Sequence, residues 1–134
     1  MKKLLVCFIA VAAVLMTGSC AKDYGYAPEY GIIKVAPADA YPGDSLTATI
    51  EMLRPGNGVF KGDFVWTIDG VEYKQTIVND LSVYAPQFGF RAPAAGTHTI
   101  DCRAKRLYMS KVLESGQIYS SATAKSSKFT VKSR

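Results

Sequence analysis

From Ile32 to Val131 the apolar residues recur at every second position, and clusters of Gly, Pro, Asp and Asn interrupt the pattern at short intervals. Ile33 and Val35 mark a first strand that closes at Pro37. After the turn Tyr41-Pro42-Gly43-Asp44, Leu46, Ala48, Ile50 and Met52 alternate with Ser45, Thr47, Thr49 and Glu51, the signature of a half-buried strand. Arg54-Pro55-Gly56-Asn57-Gly58 is a loop. Phe64, Trp66 and Ile68 then alternate with Asp63, Val65 and Thr67. Asp69-Gly70 predicts a tight hairpin, because both residues adopt positive φ readily, and Val71–Val78 is the return strand. Asn79–Ser82 is a turn, and Phe88 and Phe90 lie in a strand bounded by Pro86 and Pro93. His98, Ile100, Cys102 and Ala104 share one face of a strand over Thr97–Lys105, and Phe129 and Val131 belong to the last one. No segment carries a helical period of useful length; a single turn is expected near Val112–Glu114. About seven short strands with this spacing predict an all-β, antiparallel β-sandwich over residues 32–134.

The N-terminus has a different pattern. Lys2 and Lys3 precede an apolar run of 13 residues, Leu4–Met16. A membrane-spanning helix takes about 20 residues, whereas the hydrophobic region of a signal peptide is shorter. The run ends in Thr17-Gly18-Ser19-Cys20 with Leu15 just upstream, which resembles the lipobox of bacterial lipoproteins; Thr17 departs from the commonest pattern, which has Leu there. The resemblance implies a cleaved signal peptide at 1–19, a lipid on Cys20, and a body held at the outer membrane on a face left open. Lys22-Asp23 resembles the export tag of some surface-exposed lipoproteins. Two or more acyl chains anchor a protein durably where one does so only marginally. Residues 20–31 show no period and contain Gly25, Pro28 and Gly31, and are read as the lipidated cysteine and a tether. Tyr24, Tyr26 and Tyr30 have two placements open to them, at the lipid headgroups or packed on the domain.

Composition narrows the possibilities. The chain has 134 residues, with 16 Lys+Arg against 11 Asp+Glu. Removing 1–19 takes two lysines and leaves 115 residues with 14 basic and 11 acidic groups, net +3. That is one domain with one core. So mild a charge, without a motif, does not describe a nucleic-acid binder. One histidine and three cysteines exclude most multi-ligand metal sites and any rich disulfide framework. With Cys7 removed and Cys20 acylated, Cys102 is the remaining thiol. No cofactor is implied.

Three segments resemble immunoglobulin-like and PKD-like bacterial modules. Pro42-Gly43-Asp44-Ser45-Leu46-Thr47 is similar to the entry to their second strand, Trp66 to their core tryptophan, and Arg91-Ala92-Pro93-Ala94-Ala95-Gly96-Thr97-His98-Thr99-Ile100 to the corner into their sixth. The resemblance implies an immunoglobulin-like sandwich. His98 stands where the family has its corner tyrosine, and the two cysteines of antibody domains are absent. This fold hosts many tasks and carries little functional information.

No catalytic set emerges. His98 and Cys102 are four positions apart on one strand, about 13 Å, beyond the contact that a nucleophile–base pair needs. His98 is expected to donate to a backbone carbonyl, and Cys102 and Trp66 to be core residues. The scattered carboxylates match no calcium loop. Charge is more informative. Residues 21–90 carry five basic and nine acidic groups, net −4, and residues 91–134 carry nine and two, net +7. Arg103 and Lys105 fall outward on the sixth strand, and Lys128 and Lys132 on the last. Residues 106–126 between them are either a long loop or a protruding hairpin centred near Glu114–Gln117, with Tyr108 and Tyr119 flanking its tip. Arg103, Lys105, Lys128, Lys132, Tyr108 and Tyr119 are the candidate binding residues. The expected function is a lipid-anchored, non-enzymatic binding or assembly module contacting a protein or anionic partner. The alternative is a carbohydrate-binding accessory lipoprotein of a polysaccharide-uptake system.

Overall fold

The computed structural model describes residues 25–109 and 118–133. The signal peptide, Cys20, the first part of the tether, the turn near Val112–Glu114 and the tip at Glu114–Gln117 lie outside the described residues.

Among the described residues, eight strands form two sheets: β1 (Glu29–Ala36), β2 (Ser45–Arg54), β3 (Val59–Ile68), β4 (Val71–Val78), β5 (Gln87–Arg91), β6 (Gly96–Met109), β7 (Ile118–Thr123) and β8 (Ser127–Val131). One sheet has the order β1-β2-β5. The other runs β4-β3-β6, and β6 is flanked by β7 along its second half and by β8 along its first. Every pairing is antiparallel. This is the all-β, antiparallel sandwich that the alternation predicts, consistent with the immunoglobulin-like fold that the resemblance implies.

The inward positions of both sheets meet in one core. Trp66, Phe64, Ile50, Leu81, Ile100, Leu107, Val59 and Val131 are its largest fully buried side chains. The β3–β4 hairpin turns on Asp69 (φ 50°) and Gly70 (φ 85°), both left-handed, which matches the twist of the flanking strands. Asp69 also ties this hairpin to β6, since its N–H donates to the Thr99 carbonyl (3.0 Å) and its Oδ1 accepts from the Thr99 N–H (2.9 Å). The 79–82 turn closes one end of the core. Leu81 is buried there, and Ser82 Oγ accepts the Val59 N–H at 2.9 Å.

Two boundaries differ from the sequence reading. First, the strand read as ending at Lys105 continues, and of the two alternatives for 106–126 the described residues take the hairpin. β6 continues to Met109 and pairs with β7, placing Tyr108 opposite Tyr119. A register shift explains why the alternation stops at Lys105: Asp63 pairs with Arg106 and Phe64 with Ala104, so Lys105 is an extra residue. Beyond this bulge the parity reverses, with Leu107 and Met109 inward and Arg106 outward. Second, β1 begins at Glu29, within the stretch read as tether. Tyr26 exchanges backbone hydrogen bonds with Asn57, both 2.9 Å. Tyr30 is buried in the core, whereas Tyr26 remains exposed. The Tyr30 hydroxyl has no hydrogen-bond partner, and burial pushes its pKa up.

Candidate functional site

The solvent side of the β4-β3-β6-β7 sheet carries an outward cluster of aromatic and cationic groups. Tyr108 and Tyr119 are cross-strand partners whose rings meet edge-to-face at 4.9 Å. Lys61 Nζ lies 4.8 Å from the centre of the Tyr108 ring, and the Arg106 guanidinium 5.5 Å from that of Tyr119. Cations placed over tyrosine faces are attracted by the ring quadrupole and held there while their charge still faces water. The Tyr108 hydroxyl donates to Asp63 Oδ2 at 3.1 Å, and Thr76 Oγ1 donates to Asp63 Oδ1 at 2.9 Å. Asp63, the one carboxylate in the cluster, is thus occupied by neutral donors. Tyr108, through its hydroxyl first, holds the Arg106 guanidinium above its ordinary range.

A shallow depression of about 330 Å³ adjoins this platform, bordered by Asp63, Lys74, Thr76, Lys105 and Arg106. The bulge creates it. By inserting one residue, it turns both Lys105 and Arg106 outward in succession.

Of the six candidates read from the sequence, the structure brings Tyr108 and Tyr119 into contact and sets Lys105 beside them. Arg103 lies further along β6, where Glu72 faces it at 3.4 Å in a second depression that also holds Asp101. Charge there is balanced. Lys128 pairs with Thr99, nine positions from Tyr108 along β6, or roughly 30 Å. It borders a different cleft, of about 450 Å³, with Ile33, Lys34 and Phe129 between the β1 and β8 edges. Lys132 follows β8 beyond that point. The six therefore share one sheet without forming one patch. Sequence reasoning missed Lys61, Lys74 and Arg106. The outward parity of Lys61 and Lys74 was legible on β3 and β4, but nothing in the alternation says that β3 pairs with β6 and carries β4 on its far side. Arg106 was hidden by the bulge.

The remaining singled-out residues are structural. His98 Nε2 donates to the Ala94 carbonyl at 2.6 Å, its ring packs on Phe129, and its Nδ1 faces Asp69. Cys102 is buried, and burial pushes its thiol up to about 12. Trp66 is fully buried and stacks on Phe88 at 5.4 Å. Among the described residues, no group of three or more His, Cys, Asp or Glu side chains is placed to hold a metal ion, and no helix is long and apolar enough to cross a membrane. No protein-family model matches the chain, and comparison with curated proteins and with solved structures returned no match.

Proposed function

We propose that this protein is a lipid-anchored, non-catalytic binding and assembly module of the cell envelope, tethered through Cys20, that takes an anionic partner on the Tyr108–Tyr119 platform and its adjoining depression. The observation that carries this reading is the placement of Lys61 and Arg106 over two exposed or half-buried tyrosines, with Lys105 on the adjoining depression and the nearby Asp63 satisfied by hydroxyl donors. Tyrosine and arginine dominate affinity at most interfaces because they offer large, stiff contact area with a polar end. The cations add on-rate and salt sensitivity. A sandwich supplies rigid strands for such a surface, and the N-terminal tether lets it face away from the membrane.

The test is retention of the full-length, detergent-solubilised protein on immobilised heparin and polyglutamate, with dextran as the neutral counterpart. Wild type is retained by the polyanions and elutes as salt rises. A Lys61→Glu, Arg106→Glu variant and a Tyr108→Ala, Tyr119→Ala variant lose retention. A Lys34→Glu, Lys125→Glu control, equal in charge change but remote, keeps it. Equal losses in the control would reduce the effect to net charge and sink the assignment. Salt-independent retention on dextran instead would favour the carbohydrate-binding alternative.

A further inference from the structure

Strand β4 is the outermost strand of its sheet, and its one neighbour among the described residues is β3. The two pair from Ile68↔Val71 to Lys61↔Val78 with no register shift. Natural sheet edges are blunted by very short strands, proline, bulges, inward-pointing charge or charged side chains along the edge, lysine above all. β4 has eight residues, no proline, no bulge, and its charged side chains Glu72 and Lys74 on the outer face. The opposite side of the sandwich is sealed. There Ile33 N–H donates to Ser127 Oγ (2.9 Å), Lys125 N–H to the Gly31 carbonyl (2.8 Å) and Lys132 N–H to the Ala40 carbonyl (2.8 Å). On β4, by contrast, apolar side chains stand in water: Val71 is 55% exposed, Tyr73 43% and Val78 73%. Beside them, Ile68, Tyr73, Phe88, Phe90 and Pro93 border an aromatic groove of about 330 Å³ between β4 and β5.

We infer that a second copy of this chain adds its own β4 antiparallel to this edge, about a two-fold axis at Tyr73, so that one sheet runs continuously through both copies. Charge selects the register. In a regular antiparallel pair, opposed residues point to the same face, so the two-fold axis must lie midway between the two copies of one residue. An axis at Glu72 would oppose glutamate to glutamate, and one at Lys74 lysine to lysine. An axis at Tyr73 opposes Glu72 to Lys74 twice, Val71 to Gln75 twice, and Tyr73 to itself. Both ion pairs then lie on the outer face, and the two tyrosines meet on the inner side, over the aromatic groove. Opposite charges directly across a ladder stabilise it and like charges destabilise it. The interface is isologous and closes at two copies. It shares Lys74 with the rim of the depression beside the platform, and different readouts keep the two apart: sedimentation reports the dimer, and polyanion retention of the Lys61→Glu, Arg106→Glu variant reports the platform.

The test mixes two charge variants. Wild-type full-length protein, sedimented in detergent, is expected to be dimeric. Lys74→Glu makes residues 72 and 74 both acidic, and Glu72→Lys makes them both basic. Each alone should weaken self-association roughly tenfold or more. The two variants, tagged differently and mixed, should co-purify as a heterodimer, because every cross-strand contact between 72 and 74 is then of opposite sign. Thermal melts of each variant alone report folding. A wild-type monomer at the highest attainable concentration overturns the proposal. So does a Lys74→Glu protein that stays dimeric, or a mixture that fails to pair while both variants remain folded. Capture of a neutral oligosaccharide by the groove in a monomeric protein would assign that edge to a ligand and likewise overturn it.

Discussion

His98 Nδ1 lies 2.5 Å from Asp69 Oδ2, across 29 residues of sequence, while His98 Nε2 lies 2.6 Å from the Ala94 carbonyl. A neutral imidazole has one N–H and cannot donate in both directions; the imidazolium can. Burial of the ring opposes the charge, but the Ala94 carbonyl and the Asp69 carboxylate outweigh it, so the His98 pKa is raised above 6.5. Asp69 is lowered from 3.8, first by the Thr99 N–H and then by His98.

The signs set a pH window. A raised histidine contributes stability that is complete below its unfolded value, near 6.5, and is lost as pH rises through the folded value. A lowered aspartate contributes above its unfolded value of 3.8 and loses this as pH falls through the folded one. The melting temperature should therefore be highest between these limits and decline as pH rises past 6.5 toward the raised value. Asp69→Asn should flatten that decline, which calorimetry at pH 5.5 and 8.5 will read. A tyrosine at this position gains nothing, since it cannot carry the charge opposite Asp69. His98→Tyr should lose more stability at pH 5.5 than at pH 8.5. Parallel pH profiles for wild type and both variants would contradict the pairing.

Trp66 links the two sheets. Its Nε1 donates to Gln75 Oε1 at 2.8 Å, and Gln75 Nε2 donates to the Gln87 carbonyl at 2.9 Å, joining β3, β4 and β5. Trp66→Ala should cost about 3–5 kcal/mol through lost burial and the cavity left behind. Gln75→Leu keeps the volume but orphans the indole N–H, and should cost about 1–3 kcal/mol. Urea unfolding measures both; a Trp66→Ala protein as stable as wild type would place the indole in solvent.

Cys102 is 2% exposed, and burial raises its thiol to about 12. Alkylation proceeds through the thiolate. In a Cys7→Ala, Cys20→Ala background, iodoacetamide at pH 8 should leave the native protein unlabelled and modify it rapidly in urea. Fast native labelling would mean that β6 opens far more readily than its packing allows.

The lipoprotein assignment is tested by the same Cys20→Ala change. It should move the protein from the membrane fraction to the soluble one. Retention through high-salt and carbonate washes would show a different attachment.

Strand parity was the most legible property of this chain. Wherever a strand is regular, a single buried face writes itself as alternation, so Phe64, Trp66 and Ile68 on β3 and Ile100, Cys102 and Ala104 on β6 could be placed inward from the sequence alone. The Asp69-Gly70 turn was equally plain, because few residues tolerate its backbone. The lower limit of the domain was less so, since Tyr30 joins the core from a segment whose glycines and proline conceal any period.

What only the tertiary structure decided concerns relations between strands. A bulge at Lys105 is a property of a pair, defined by which β3 residue is opposed, and the single strand shows it merely as a pattern that stops. Lys61, Arg106, Tyr108 and Tyr119 converge from β3, β6 and β7 because long-range pairing brings them there, while Arg103, Lys128 and Lys132, their apparent companions by parity, are spread along the sheet or matched by Glu72. The contact between His98 and Asp69 has the same origin. Local sequence dictates which way a side chain points; the pairing register dictates what it meets.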